Sequence, residues 1–337
     1  MKKTLLALLG LGLLFTLTGC TLSLLGTPTP WPTPLVLPTP TVITATPPTV
    51  PPSATAAAPT AAATLTLPTV TPGAPPVATT AVVPTTSGGI LPGVASGPYA
   101  VILVAPADVL NVRAGPGTGS AVTGSLPATA TGVMRAGPSS TADGNLWVQI
   151  QSPSGWVNSN YLTEYVAPAA FCADAKASAL VTNLGNALKS SNGELLATLV
   201  SPAHGMTVHL WVHAAGITFD RAHARWMFDS TYAHNWGIHP GSGLEVAGSF
   251  HETVLPKLLL VLNAPAPGYT LSCDSVQTGG ANYDTSWPAL YANVNFYSLY
   301  KPGPPGDEMS WRTMLVGVEY VNGQPYVFSL IQLEWEP

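Results

Sequence analysis

The chain has 337 residues, of which 35 are proline and only 11 basic and 16 acidic, and its formal net charge is −5 at pH 7. Lys2 and Lys3 open the chain and residues 21–97 carry no charge, so nine basic and sixteen acidic groups are left for residues 98–337. That balance argues against a basic face for nucleic acid, and no nucleic-acid partner is expected.

Residues 1–20, MKKTLLALLGLGLLFTLTGC, put a positive start before an apolar core. The core is about a dozen residues long, short for a bilayer span and of the length of an export signal. Its end, Leu17-Thr18-Gly19-Cys20, resembles the lipobox of bacterial lipoproteins. The resemblance implies that Cys20 is diacylated, becomes the mature N-terminus and holds the protein on the outer face of a membrane in the cell envelope, as two acyl chains do where one does not. The alternative is an uncleaved signal anchor with an incidental cysteine.

Residues 21–97 contain seventeen Pro and nineteen Thr. Large apolar groups are too few to offset the entropy of ordering, and proline removes amide donors, so a disordered Pro/Thr-rich linker is expected. At about 3.1 Å per residue its contour approaches roughly 240 Å. It serves either as an O-glycosylated stalk or as a plain spacer.

Order resumes with VLNVRAGPGTGS, where Leu110 and Val112 point one way and Asn111 and Arg113 the other, the period of a half-buried strand. Gly115, Pro116 and Gly117 then force a turn. Short runs follow with turn punctuation: AVTGSLP, TATGVMRA, LWVQIQ and SGWVNSNYL. Five or so brief strands in under seventy residues predict a small all-β barrel or sandwich. LNVRAGPG, GSLP, LWVQI and GWVNSNYL resemble the bacterial SH3 family over residues 98–166. That resemblance implies an SH3-like barrel that binds peptidoglycan or a peptide, or one that positions a neighbouring domain. Candidate ligand-binding residues, those the strand period turns outward, are Asn111, Arg113, Trp147, Trp156, Asn158 and Tyr161. Against them stand structural roles: Arg113 bonding the carbonyls of its own turn, Trp156 plugging a core.

Residues 170–337 have the composition of a globular domain. Ala173, Ala177, Leu180, Val181, Leu184 and Leu188 recur at helical spacing, SNGELLATLV gives a second helix stopped by Pro202, and FDRAHARWMF a third. Ser249 and Glu252 stand at capping-box spacing, and Pro256 kinks or restarts the helix they begin. Strands follow in YTLSCDSV, ANVNFYSLY, WRTMLVGVEY and PYVFSLIQLEWE, the last two joined through the hairpin turn Asn322-Gly323. Helices before strands predict an α+β domain with an antiparallel sheet, and so a multidomain chain. The order resembles the cone-shaped folds of the nuclear-transport-factor-2 superfamily.

Cys172 and Cys273 remain once Cys20 is lipidated, and an even pair in an oxidising envelope predicts one disulfide, two buried free thiols being the alternative. All seven histidines lie between 204 and 251. MTVHLWVH reads as a strand with Thr207, His209, Trp211 and His213 on one face. His209 and His213 then stand about 13 Å apart, unsuited to one zinc, so neither metal nor cofactor is expected. His209, Trp211 and His213, together with His234, Trp236 and His239 of YAHNWGIHPGSG, are candidates to line one concave pocket. No GxSxG, Walker loop or CxxC is present. The expected function is a lipid-anchored surface protein with a wall- or peptide-binding SH3-like module and a non-catalytic C-terminal binding or scaffold domain. The alternative is a cell-envelope hydrolase acting through the histidine-rich segment 204–251.

Overall fold

The computed structural model describes residues 98–265 and 268–336. The expected lipidation site Cys20, the expected export signal and the expected linker lie outside the described residues. The described chain is β-rich with a few helices.

It begins with β1 (Tyr99–Val101), β2 (Val109–Arg113), β3 (Val122–Pro127), β4 (Arg135–Ala142), β5 (Asn145–Ile150), β6 (Gly155–Asn158) and β7 (Leu162–Glu164). The middle five form an antiparallel sheet in the order β3-β2-β6-β5-β4. Leu110, Val112, Val148, Ile150 and Val157 point to a shared apolar cluster with Tyr99 and Leu162, as the period of two requires.

Three helices come next: α1 (Pro168–Ala173), α2 (Ala175–Lys189) and α3 (Gly193–Leu199). The sequence pattern runs unbroken from Ala173, but the chain leaves helical geometry at Asp174, whose side chain caps α2 by accepting from Lys176 N at 2.8 Å. Its other oxygen accepts the Tyr320 hydroxyl at 2.7 Å, pinning the helix start to the sheet. Leu180, Val181, Leu184 and Leu188 are buried along one stripe, each contributing roughly 1.5–3 kcal/mol.

Then follow β8 (Met206–His209), β9 (Ile217–Phe219), the short α4 (Arg221–Arg225), a two-stranded hairpin of β10 (His234–Ile238) and β11 (Glu245–Gly248), and α5 (Leu255–Leu262). The Ser249–Glu252 capping box is formed, opening a π-helical turn that passes into α5 at Leu255, with Pro256 in the first turn where its missing N–H costs nothing. The chain ends in β12 (Thr270–Cys273), β13 (Asn295–Lys301), β14 (Arg312–Val321) and β15 (Gln324–Glu334).

These last strands make an antiparallel run β12-β13-β14-β15. Beyond it β8 pairs with β15 in parallel, and β9 adds antiparallel to β8. The sheet is therefore mixed, not purely antiparallel as expected. The physical reason is connectivity: the chain between β8 and β15 is long enough to return in the same direction, which no short hairpin allows. The same sheet takes in β1 and β7, the latter through Glu164 opposite Tyr320. Both faces are covered, one by α2 and α5 and the other by Ile102, Tyr291 and Trp311, which is why β14 and β15 read as near-continuous apolar runs. Cys172 of α1 and Cys273 of β12 are joined in a disulfide, their Cα atoms 5.7 Å apart.

Candidate functional site

The first cleft is built by the loop after β1 and by strands β2, β5 and β6. Asn111 and Arg113 come from β2, Trp147 from β5, and Asn158 and Tyr161 from the end of β6 and the turn after it. These five line one cleft of about 480 Å³ together with Asp108, Thr118 and Leu290. The sixth candidate, Trp156, lies elsewhere: it is half-buried on β6 between Arg113 and Gln149 and does not line the cleft.

Trp147 is not turned to solvent. Only 3% of it is exposed, and its Nε1 donates to Ala142 O at 3.1 Å. The period of two does send Val148 to the core and Trp147 to the opposite face, but that face is the cleft wall. Arg113 divides its guanidinium between the cleft and its own turn, donating from NH1 to Ser120 O at 2.8 Å. Asn158 Oδ1 accepts from Asn160 N, which leaves its amide N–H₂ uncommitted among the described residues. Asn111 and the Tyr161 hydroxyl are uncommitted in the same sense. One cation, one carboxylate and several neutral donors around an indole wall suit the amides and hydroxyls of a peptide or glycopeptide better than a strongly charged ligand.

A second cleft of about 650 Å³ lies across Leu103 and Leu290, residues that line both clefts and are tied by Leu103 N donating to Leu290 O at 2.9 Å. Leu103 holds φ 60°, sparsely populated for a branched side chain. His204, His209, His213 and Tyr291 line this second cleft. The expected single histidine pocket does not form. Strand β8 stops at His209, so alternation fails at once: Leu210 and Trp211 are both buried. Trp211 packs in the core, with Lys257 Nζ 5.8 Å from its ring centroid and His239 edge-on at 5.6 Å. Trp236 is wholly buried and stacks on Phe219, while His234 stands on β10 by a third cavity.

The ring nitrogens of His204 and His209 are committed. His209 Nδ1 must donate to Ala214 O at 3.0 Å, so Nε2 accepts the Tyr291 hydroxyl at 2.9 Å, and burial lowers its pKa below the ordinary histidine value. His204 Nδ1 contacts Glu319 Oε2 at 2.7 Å. Burial by itself pulls the His204 pKa down, but the Glu319 carboxylate and a bond to the Asn160 backbone outweigh it, and the net shift is upward. Glu319, 2% exposed, also accepts from Thr163 at 3.1 Å and from Ser201. Ser201 thus bonds the carboxylate and not the imidazole, so the trio is not a nucleophile–base array. Among the described residues, one group of three potential metal-ligating side chains converges, Cys172, Cys273 and Asp274, and its two cysteines are spent in the disulfide.

Sequence reasoning missed Glu319 and Tyr291. The first had a signal: a lone carboxylate inside MLVGVEYV, a run too apolar to hold a charge without a partner. Among the described residues no helix is long and apolar enough to cross a membrane. Comparison with protein-family models, curated proteins and solved structures finds no match.

Proposed function

We propose that this protein is an exported, lipid-anchored binding protein of the cell envelope, held at Cys20, whose residues 98–166 form an SH3-like module that takes a wall peptide or glycopeptide in the cleft of Asn111, Arg113, Asn158 and Tyr161. The observation that carries the reading is convergence: five of the six polar and aromatic residues chosen as turned outward by the strand period line one cleft, with hydrogen-bonding groups left uncommitted. The five short antiparallel strands around one apolar cluster support the SH3-like assignment. Helices α1–α3 ahead of the long strands support the likeness of residues 170–337 to the nuclear-transport-factor-2 superfamily.

The C-terminal part acts as a binding or scaffold body. What favours this over a hydrolase is the commitment of His204, His209 and Ser201 to partners inside the fold. The test is co-sedimentation of the full chain with purified peptidoglycan. Asn158→Ala combined with Tyr161→Ala is expected to reduce retention about tenfold, the loss of about 1.4 kcal/mol. Absence of wild-type retention, on intact peptidoglycan and on its released stem peptides alike, refutes the reading.

A further inference from the structure

A third cavity, of about 440 Å³, lies between β9, the turn after α4, and β10; it shares Thr218 with the second cleft and no residue with the first. Its volume is ordinary for a small-molecule site. Phe219 and Phe250 form a buried wall, 6% and 2% exposed. His234 stands edge-on to Phe219 at 5.2 Å and to Tyr232 at 4.8 Å. At the rim Trp226 and Tyr232 are 62% and 68% exposed. Two large rings left in water beside an apolar cavity mark an unmet contact surface.

The polar groups define what the occupant must carry. The His234 ring makes no hydrogen bond among the described residues. His223 Nδ1 donates to Asp220 Oδ1 at 2.7 Å, so on the neutral ring Nε2 is left as an acceptor. Ser230 Oγ accepts from Tyr232 N and keeps its own proton to donate. No lysine, arginine, aspartate or glutamate lines the cavity. Burial, and secondarily the nearby His223, lowers the His234 pKa below the ordinary histidine value.

An anion finds no lysine or arginine here, and a cation finds no carboxylate in the lining. A wholly apolar ligand covers the walls but desolvates His234 and Ser230 without replacing their water. From this we infer that the cavity is a binding site for a neutral saccharide, which presents a flat C–H face to an aromatic ring and hydroxyls to uncharged donors and acceptors. The site is independent of the peptide cleft and of the reading given to it.

The test is isothermal titration of the full chain with neutral trisaccharides built of glucose or of N-acetylglucosamine, and in a separate arm with indole as an apolar probe. At least one trisaccharide is expected to bind. Trp226→Ala and Tyr232→Ala, both at exposed positions, are each expected to weaken it about tenfold. Asn158→Ala leaves it unchanged, so failure of the cleft reading and failure of this one are separable. Binding of indole with no trisaccharide binding at 10-millimolar scale, no binding of either, or saccharide binding unaffected by both rim variants overturns the assignment.

Discussion

Replacing His204 by alanine separates a buried charged pair from a surface-like contact. His204 and Glu319 side chains are 9% and 1% exposed, and the imidazole Nδ1 is 2.7 Å from the carboxylate. Removing one partner of a buried pair costs about 3–5 kcal/mol, because the other charge is left without a counterion. Glu319 here keeps two hydroxyl donors, Thr163 and Ser201, which at about 1 kcal/mol each bring the expected loss to about 1–3 kcal/mol. The pH dependence has a definite sign. The folded His204 pKa lies above its unfolded value, so the stabilisation is complete below the unfolded pKa of about 6.5 and is lost as pH rises through the folded one. A neutral imidazole still donates one hydrogen bond, so about 1 kcal/mol remains. Denaturant unfolding of the full chain and of His204→Ala, followed by tryptophan fluorescence between pH 6 and pH 10, reads the difference directly. A difference below about 1 kcal/mol at pH 6, the range of an exposed pair, or one that grows with pH, refutes the argument.

Glu336 behaves in the opposite sense to an ordinary surface acid: burial, reinforced by Glu334 and partly offset by Lys257, raises its pKa to about 7. Its contribution is intact below the ordinary carboxylate range and lost as pH rises to about 7, so Glu336→Gln should leave the unfolding free energy unchanged at pH 4 and raise it at pH 8, by on the order of 2 kcal/mol. The Cys172–Cys273 bond closes a separation of 101 residues, and replacing both by serine is expected to lower the unfolding free energy by about 3–5 kcal/mol, measured by the same titration. A Cβ at position 193 would overlap the Arg225 carbonyl oxygen where α3 meets α4. Gly193→Ala should therefore destabilise by about 1–3 kcal/mol despite its better helix propensity.

Periodicity made some of this architecture legible and hid the rest. The α2 stripe, the Ser249–Glu252 cap and the β14–β15 hairpin at Asn322-Gly323 are local features, and each is where the residues put it. The parallel β8–β15 pair is not local: nothing in MTVH says which distant strand it joins. The hairpin of β10 and β11 was hidden by glycines and a register shift within its ladder, which blur alternation. The cleft was readable because Asn111, Arg113 and Asn158 sit on strands, whereas Leu290 arrives from a single 3-10 turn, Ala289–Tyr291, 127 positions beyond Thr163 and carries no periodic signal. The histidine grouping failed for one physical reason: a period of two holds only while the chain stays a strand, and β8 ends at His209.

The cleft claim is tested most directly by hydrogen–deuterium exchange of the full chain with and without soluble peptidoglycan fragments. The account predicts added protection in the segments containing Asp108 to Arg113 and Trp156 to Tyr161, with none around Trp226. Fragment binding that leaves both segments unchanged contradicts it.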